Sequence, residues 1–220
     1  LLNAVCSRSL LKRIQAQAGE AGYQAKFGAE FEWFVFHKNS EDTSANKYQN
    51  MTPLSSGMFG YSMLRTSEFQ ELTHRILSDL TAAKLPLEGL HTETGPGVYE
   101  AAISYCDALE MADQSSLFKL GIKQIANDFD LMASFMAKWS PLYPGCSGHL
   151  HQSLWDEKGE NIFYSSDNEF GLSTVAQQYL AGQLYCLPFI LPMFAPTVNS
   201  YRRYVAGSWA PTTISWGVDN

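Results

Sequence analysis

The sequence predicts an α+β fold built on a largely antiparallel sheet. Three observations predict it. Helical and strand-like segments alternate without the regular rhythm of parallel βαβ units. Two strand-like runs, 88–93 and 98–105, are joined by Gly95-Pro96-Gly97, a tight turn signal that makes neighbours antiparallel. A run rich in aromatics, 26–37, has the period-two pattern of a strand.

Each further element follows from local pattern. Residues 7–22 read as an amphipathic helix, with Leu10, Leu11 and Ile14 in one stripe and Gly19 to Gly22 as its stop. The polar stretch 38–62 reads as a loop or insertion. A helix over 67–84 places Leu72, Ile76 and Leu80 on one side, and a second covers 109–129. Strands follow at 131–138 and 147–155, then a turn at 156–159. A helix over 172–185 runs into a stretch punctuated by Pro188 and Pro192, and 212–217 reads as a last short strand.

Composition narrows the function. The 220 residues are 45% hydrophobic and 17% charged, with a formal net charge of -7. That is enough apolar material for one large domain or two small ones. No Lys/Arg-rich stretch offers a nucleic-acid footprint, so a nucleic-acid partner is not expected. The most apolar segment, 184–195, is too short to span a bilayer, so no membrane partner is expected either. Cys6, Cys106, Cys146 and Cys186 form no CxxC pair and read as free thiols, which suits a reducing cytoplasm.

Four constellations carry chemistry. In the strand 26–37, alternation sets Glu30 and Glu32 on one face, continued by Phe34 and Phe36. Two carboxylates beside aromatics repel each other and lose hydration, and a bound cation relieves both costs. A surface strand with paired charges is the other reading. The Gly95-Pro96-Gly97 turn can fold Glu93 and Glu100 toward one site, where oxygen donors suit hard cations; an ordinary hairpin with exposed acids is its plain alternative. Strand spacing aligns His149, His151 and Ser153, preceded by Gly145 and Gly148, which allow close backbone approach. A structural histidine pair is the alternative there. Adjacent Arg202 and Arg203 suit carboxylate or phosphate recognition, or are a solvated basic pair.

Together and in this order, these elements resemble the catalytic domain of the glutamine synthetase superfamily. The resemblance runs from about residue 7 to residue 220. It rests on GAEFEWFVF, ETGPGVYE, the stretch 107–138, GCSGHLHQSLW and PTVNSYRRYVAGSWAP. It implies a curved, largely antiparallel sheet forming part of a barrel, with flanking helices. It implies that 1–220 form one catalytic domain, without the family's N-terminal β-grasp domain and C-terminal catalytic part. In such a domain Glu32, Glu93 and Glu100 would hold one metal, and Glu30 and His149 a second. Glu88, His151 and Ser153 match nucleotide-contacting positions. Gly145 and Arg203 match substrate-contacting positions, and Arg203 would also assist the transferred phosphoryl group.

The implied reaction uses ATP and two or more Mg²⁺ or Mn²⁺ ions to activate glutamate as γ-glutamyl phosphate, which an amine then attacks. The implied assembly is a homo-oligomeric double ring. Three positions depart from the common pattern. Trp209 stands where ammonia-using members carry a glutamate, Val98 where many carry Gln, and Pro144 where an Asn is frequent. An indole cannot accept a proton from an amine, though it can pack on an alkyl chain or a cation. The nucleophile expected is therefore an organic amine, as in γ-glutamylpolyamine and γ-glutamylmonoamide synthetases. The alternatives are an ammonia-using glutamine synthetase and a non-catalytic relative with a structural or binding role.

Overall fold

The computed structural model describes residues 3, 5–38 and 47–218. In chain order these form α1 (Ser7–Glu20), β1 (Gln24–His37), β2 (Thr52–Pro53), α2 (Met63–Glu68), α3 (Gln70–Ala82), β3 (Leu87–Thr92) and β4 (Val98–Ile103). Then come β5 (Cys106–Asp107), α4 (Ala108–Asp128), β6 (Leu131–Ser134), β7 (Gly148–Trp155), α5 (Thr174–Phe194) and a 3-10 turn, Ser200–Arg203. The chain divides into two compact units. The first comprises Gly28–Tyr105 and Met111–His151. The second comprises Leu1–Phe27, Cys106–Glu110 and Gln152–Asn220. Helices and antiparallel strands are mixed as the α+β expectation requires, and the strand path β2-β1-β4-β3 is open, so the sheet is not a closed barrel.

The first unit is organised on β1. Its partners β2, β4 and β6 all run antiparallel to it, β7 also pairs with it, and β3 extends the sheet beyond β4. One face of β1 is an aromatic core. Trp33 and Phe118 are fully buried, with ring centroids 5.7 Å apart, and Phe31 stacks on Phe118 at 5.6 Å. Trp33 also stacks on Tyr99 of β4 at 5.9 Å. On the opposite face Phe34 and Phe36 pack with Val98 and Cys146. Val98, one of the positions that departs from the common pattern, is thus a core residue. Two-sided burial pins the register of β1, because a one-residue slip would exchange the two faces.

The β3–β4 hairpin depends on glycine at two points. Gly95 has φ 142 and Gly97 has φ 65, both in the region L side chains rarely adopt. A Cβ on Gly97 would meet the Val35 carbonyl oxygen at 2.5 Å and the Leu54 nitrogen at 3.0 Å. The close approach lets the Gly97 carbonyl accept from the Val35 N–H, and the Val35 carbonyl from the Leu54 N–H, each at 2.8 Å.

In the second unit, Lys26 and Phe27 at the start of β1 pair with Asp107 and Cys106 of β5, and the Lys26 ammonium lies 4.1 Å over the Trp155 ring. Ser173 caps α5, its hydroxyl accepting from the Ala176 N–H at 3.2 Å. No helix among the described residues is long and apolar enough to cross a membrane.

Four element boundaries differ from the sequence expectation. The helix expected over 67–84 forms as α3, Gln70–Ala82, and a separate short helix, α2, precedes it, the two parted at Phe69, whose φ of -120 and ψ of 39 leave the helical region. The helix expected to end at 185 continues to Phe194 through Pro188 and Pro192. Those prolines are four apart and share one side of the helix, so the missing donors interrupt only that side. The ladder resumes beyond them, with the Ala195 N–H donating to Leu191 at 2.8 Å. The strand expected over 131–138 stops at Ser134. No strand forms at 212–217. That stretch has a strand-like composition but gains no ladder partner, and Trp216 packs edge-on to Phe170 at 5.6 Å instead. Most of the expected loop 38–62 stays irregular apart from β2; residues 39–46 of it lie outside the described residues.

Gly97→Ala, which adds both strain and a backbone clash, is expected to cost about 2 kcal/mol or more. Gly159→Ala, at φ 80 with nothing within 4 Å of the added carbon, is expected to cost about 1 kcal/mol from strain alone. Urea unfolding of both variants measures the difference.

Candidate active site

The site is assembled by cross-strand register. Glu32 of β1 faces Glu100 of β4, and Glu100 faces His91 of β3. Residues directly opposite in adjacent strands point to the same face. His91, Glu100 and Glu32 therefore form one row across three strands, with Glu30 two residues along β1 on the same face. Glu93 sits just beyond β3, where its N–H donates to the Val98 carbonyl at 2.9 Å and closes the hairpin.

The strand β7 brings in two histidines. His149 Nδ1 lies 2.9 Å from Glu30 Oε1, and His151 Nε2 lies 3.1 Å from Glu30 Oε2. A carboxylate only accepts, so both rings donate to it. Gly148 makes the approach possible: a Cβ there would meet the Glu30 carbonyl oxygen at 3.0 Å and the Phe31 ring at 3.4 Å. The preceding loop is clipped to β1 by two hydrogen bonds. The Ser147 N–H donates to Glu32 Oε2 at 2.7 Å, and the Glu32 N–H donates to the Ser147 carbonyl at 3.1 Å. Gly145, expected at a substrate contact, lies two residues before this clip and is half-buried.

Donor atoms converge in two groups. Glu30, Glu100 and His149 place one ligand atom each within 4.8 Å of one another, and so do His91, Glu93 and Glu100. Both sets combine one imidazole nitrogen with two carboxylate oxygens, and Glu100 belongs to both. Such sets suit divalent cations. Glu32 stands beside Glu100 in the row but belongs to neither group, its carboxylate accepting from Ser147.

Charge crowding shapes the protonation of the cluster. Glu100 is only 5% exposed. Burial first, then the hydrogen bond and charge of Glu30, and then Glu32 and Glu93, hold its carboxyl far above the usual range. Glu30 is held well below it, first by the hydrogen bond from Glu100 and then by His151 and His149. The two carboxyls thus behave as a pair sharing one proton.

Two residues here escaped the sequence reading. His91 carried a weak signal, its period-two spacing from Glu93. Tyr61 carried none, since it lies in a stretch read only as loop. Its N–H donates to the Thr92 carbonyl at 2.6 Å, its ring stacks on His91 at 4.6 Å, and its hydroxyl donates to Glu93. That bond, with burial and the nearby carboxylates, pushes the Tyr61 hydroxyl up to about 12. Glu88, expected at the nucleotide, is exposed at an irregularity in the β3 ladder between Leu87 and Gly89.

The remaining expected residues belong to the second unit. Ser153 accepts from the Trp155 indole N–H at 2.9 Å. Arg203 ends the 3-10 turn, and its carbonyl accepts from the Ser208 hydroxyl at 3.1 Å and the Val205 N–H at 2.8 Å. Trp209, which follows, is 99% exposed.

Known proteins resemble this chain in sequence and fold. The family described as glutamine synthetase, catalytic domain, matches residues 4–220. The chain is 48% identical over 217 residues to Type-1 glutamine synthetase 2 of Dictyostelium discoideum, covering 98% of this chain and 42% of that protein. It is 35% identical to the glutamate–isopropylamine ligase of a Pseudomonas species, covering 97% of this chain and 46% of that one. It is 37% identical to gamma-glutamylethanolamide synthetase GlnA4 of Streptomyces coelicolor, covering 97% and 45%. A solved structure described as apo GmaS without ligand superposes with a TM-score of 0.81 at 27% identity, over 90% of this chain and 46% of that one. The chain thus spans a little under half the length of these relatives. The match runs through every segment that bears the carboxylate and histidine cluster, and on that ground the chain belongs to the glutamine synthetase catalytic-domain family.

Proposed function

We propose that this chain carries the glutamate-activating site of an ATP-dependent glutamate–amine ligase. The observation that carries the reading is Glu100, a buried carboxylate shared by two groups of cation donors on one sheet face. Glu30, Glu100 and His149 hold one divalent cation, Mg²⁺ or Mn²⁺, and Glu93 and Glu100, with Glu32 alongside, hold a second. When bound, such ions neutralise the nucleotide phosphates and the charge that grows during phosphoryl transfer. The γ-carboxylate oxygen of glutamate attacks the terminal phosphorus of ATP and ADP leaves. The amine nitrogen then attacks the acyl carbon of the γ-glutamyl phosphate, the carbon–oxygen bond to phosphate breaks, and phosphate leaves with the proton that the nitrogen gives up. On this reading Gly145 contacts the amino-acid end of glutamate through its backbone, Arg203 contacts a substrate carboxylate and the transferred phosphoryl group, and Glu88, His151 and Ser153 contact the nucleotide.

For the nucleophile we favour an organic amine. Trp209 supplies an apolar surface and no proton acceptor at the loop position where ammonia-using relatives carry an acid. Of two relatives named above, one is by its name a ligase of glutamate and isopropylamine and the other a synthetase of gamma-glutamylethanolamide. The 48% identity to a protein named glutamine synthetase supports ammonia as the second reading.

An amine screen with glutamate, ATP and Mg²⁺ or Mn²⁺, read by phosphate release, tests both. Release that requires glutamate and is fastest with an alkylamine or diamine is expected; release clearly fastest with ammonia replaces the organic-amine reading by the second. Glu100→Gln is expected to lower kcat about 100-fold or more, since it removes a group shared by both donor sets.

The cluster also predicts a pH dependence. In chelator, the Glu100 carboxyl binds its proton more tightly in the folded than in the unfolded chain. Its contribution to stability is therefore complete at acid pH and is lost as the pH rises from the ordinary carboxylate range toward about 9. The melting temperature in chelator is expected to fall over that window and to fall less in Glu100→Gln. Adding Mn²⁺ is expected to flatten the wild-type profile and to release about one proton per protein, read with a pH indicator.

A further inference from the structure

We infer that His91 is a metal donor, so that the second cation site is a mixed nitrogen and oxygen site that prefers Mn²⁺ over Mg²⁺. The inference rests on the reading that the cluster binds divalent cations, and adds a ligand and a selectivity to it.

Three observations carry it. The first is placement. His91 is the direct cross-strand partner of Glu100 and points to the same face. Its Nε2 lies 3.9 Å from Glu100 Oε2, and its Nδ1 lies 3.9 Å from Glu93 Oε1. These separations are too long for hydrogen bonds. The Nε2–Glu100 separation falls within the span that one ion can bridge with donors at roughly 2.1 Å, and one nitrogen of His91 lies within 4.8 Å of a carboxylate oxygen of both Glu93 and Glu100.

The second is the tautomer. His91 Nδ1 lies 3.3 Å from the Thr92 carbonyl oxygen. A carbonyl only accepts, so this contact places the proton on Nδ1 and leaves the Nε2 lone pair facing Glu100. A ring nitrogen that donates to a backbone carbonyl while the other stays free is the usual supporting arrangement of a ligating histidine.

The third is orientation. The Tyr61 ring stacks on the imidazole at 4.6 Å and 25°, and Tyr61 is itself anchored by its N–H on the Thr92 carbonyl. The ring plane is thus set from both sides, by Tyr61 above it and by Thr92 at its edge. A held imidazole loses little freedom on ligation, and nitrogen donors favour transition ions over Mg²⁺, which binds oxygen almost exclusively.

The test is metal binding to the chelator-stripped protein, with no substrate and no turnover. Mn²⁺ and Mg²⁺ affinities are measured by calorimetry, and Co²⁺ ligation by visible absorption. The variants are His91→Phe, which keeps an aromatic ring for Tyr61 and removes the nitrogens, and His149→Ala. His91→Phe is expected to weaken Mn²⁺ at one site about tenfold or more, to shift the Co²⁺ bands, and to leave Mg²⁺ affinity unchanged. If its Mn²⁺ affinity and Co²⁺ bands match the wild type while His149→Ala loses a site, His91 is no ligand and the proposed function stands. If His91→Phe weakens Mg²⁺ and Mn²⁺ alike, the selectivity claim falls. If the wild type binds neither ion, the cation reading falls with it. His91→Gln, similar in size to the native side chain, replaces His91→Phe if thermal melts show that the latter does not fold.

Discussion

The constraint on which the first unit depends is the repulsion among carboxylates on one sheet face. Two unit charges 4 Å apart interact by roughly 4 kcal/mol at an effective dielectric of about 20. Glu30, Glu32, Glu93 and Glu100 all contribute to one crowded field, and Glu100 is buried within it. Without a counter-charge the protein lowers this cost by keeping a proton between Glu30 and Glu100. Without a counter-charge the ionised cluster works against the fold; on the proposed reading a divalent cation relieves the same cost without an acidic medium.

The scaffold around the carboxylates is densely packed with aromatic rings. The face of β1 opposite the carboxylates is an aromatic stack of Phe31, Trp33, Tyr99 and Phe118, and the site face continues into Phe34 and Phe36. Well-packed aromatic layers do not slide continuously to relieve strain. The carboxylates are thereby held at their spacing, which is what a preorganised electrostatic site requires.

Much of this was legible in the sequence where a periodic pattern or a turn fixed the geometry. Period two put Glu30 and Glu32 on the face that Phe34 and Phe36 continue, and Gly95-Pro96-Gly97 placed the hairpin that carries Glu93 and Glu100. The same period aligned His149 with His151, and both reach Glu30. What stayed hidden depends on register or irregular backbone. His91 becomes a neighbour of Glu100 only through the pairing of β3 with β4. Tyr61 reaches the cluster from a backbone at φ 55, which no local pattern announces. The continuation of α5 past two prolines and the unpaired stretch 212–217 were decided by packing and by the absence of a strand partner, neither of which a window of sequence contains.

The tight hairpin has a consequence for how the site comes into being. Glu93 and Glu100 are seven positions apart, joined by a turn whose glycines relieve its strain, so that loop closes early and at small entropic cost. His149 must return to Glu30 across 119 residues, a closure that is slower by the same logic. The β3–β4 donors, with His91 beside them, are therefore expected to assemble before the donors that β7 brings in. The hairpin thus carries its donors as a local unit, whereas the Glu30 group exists only after a long-range closure.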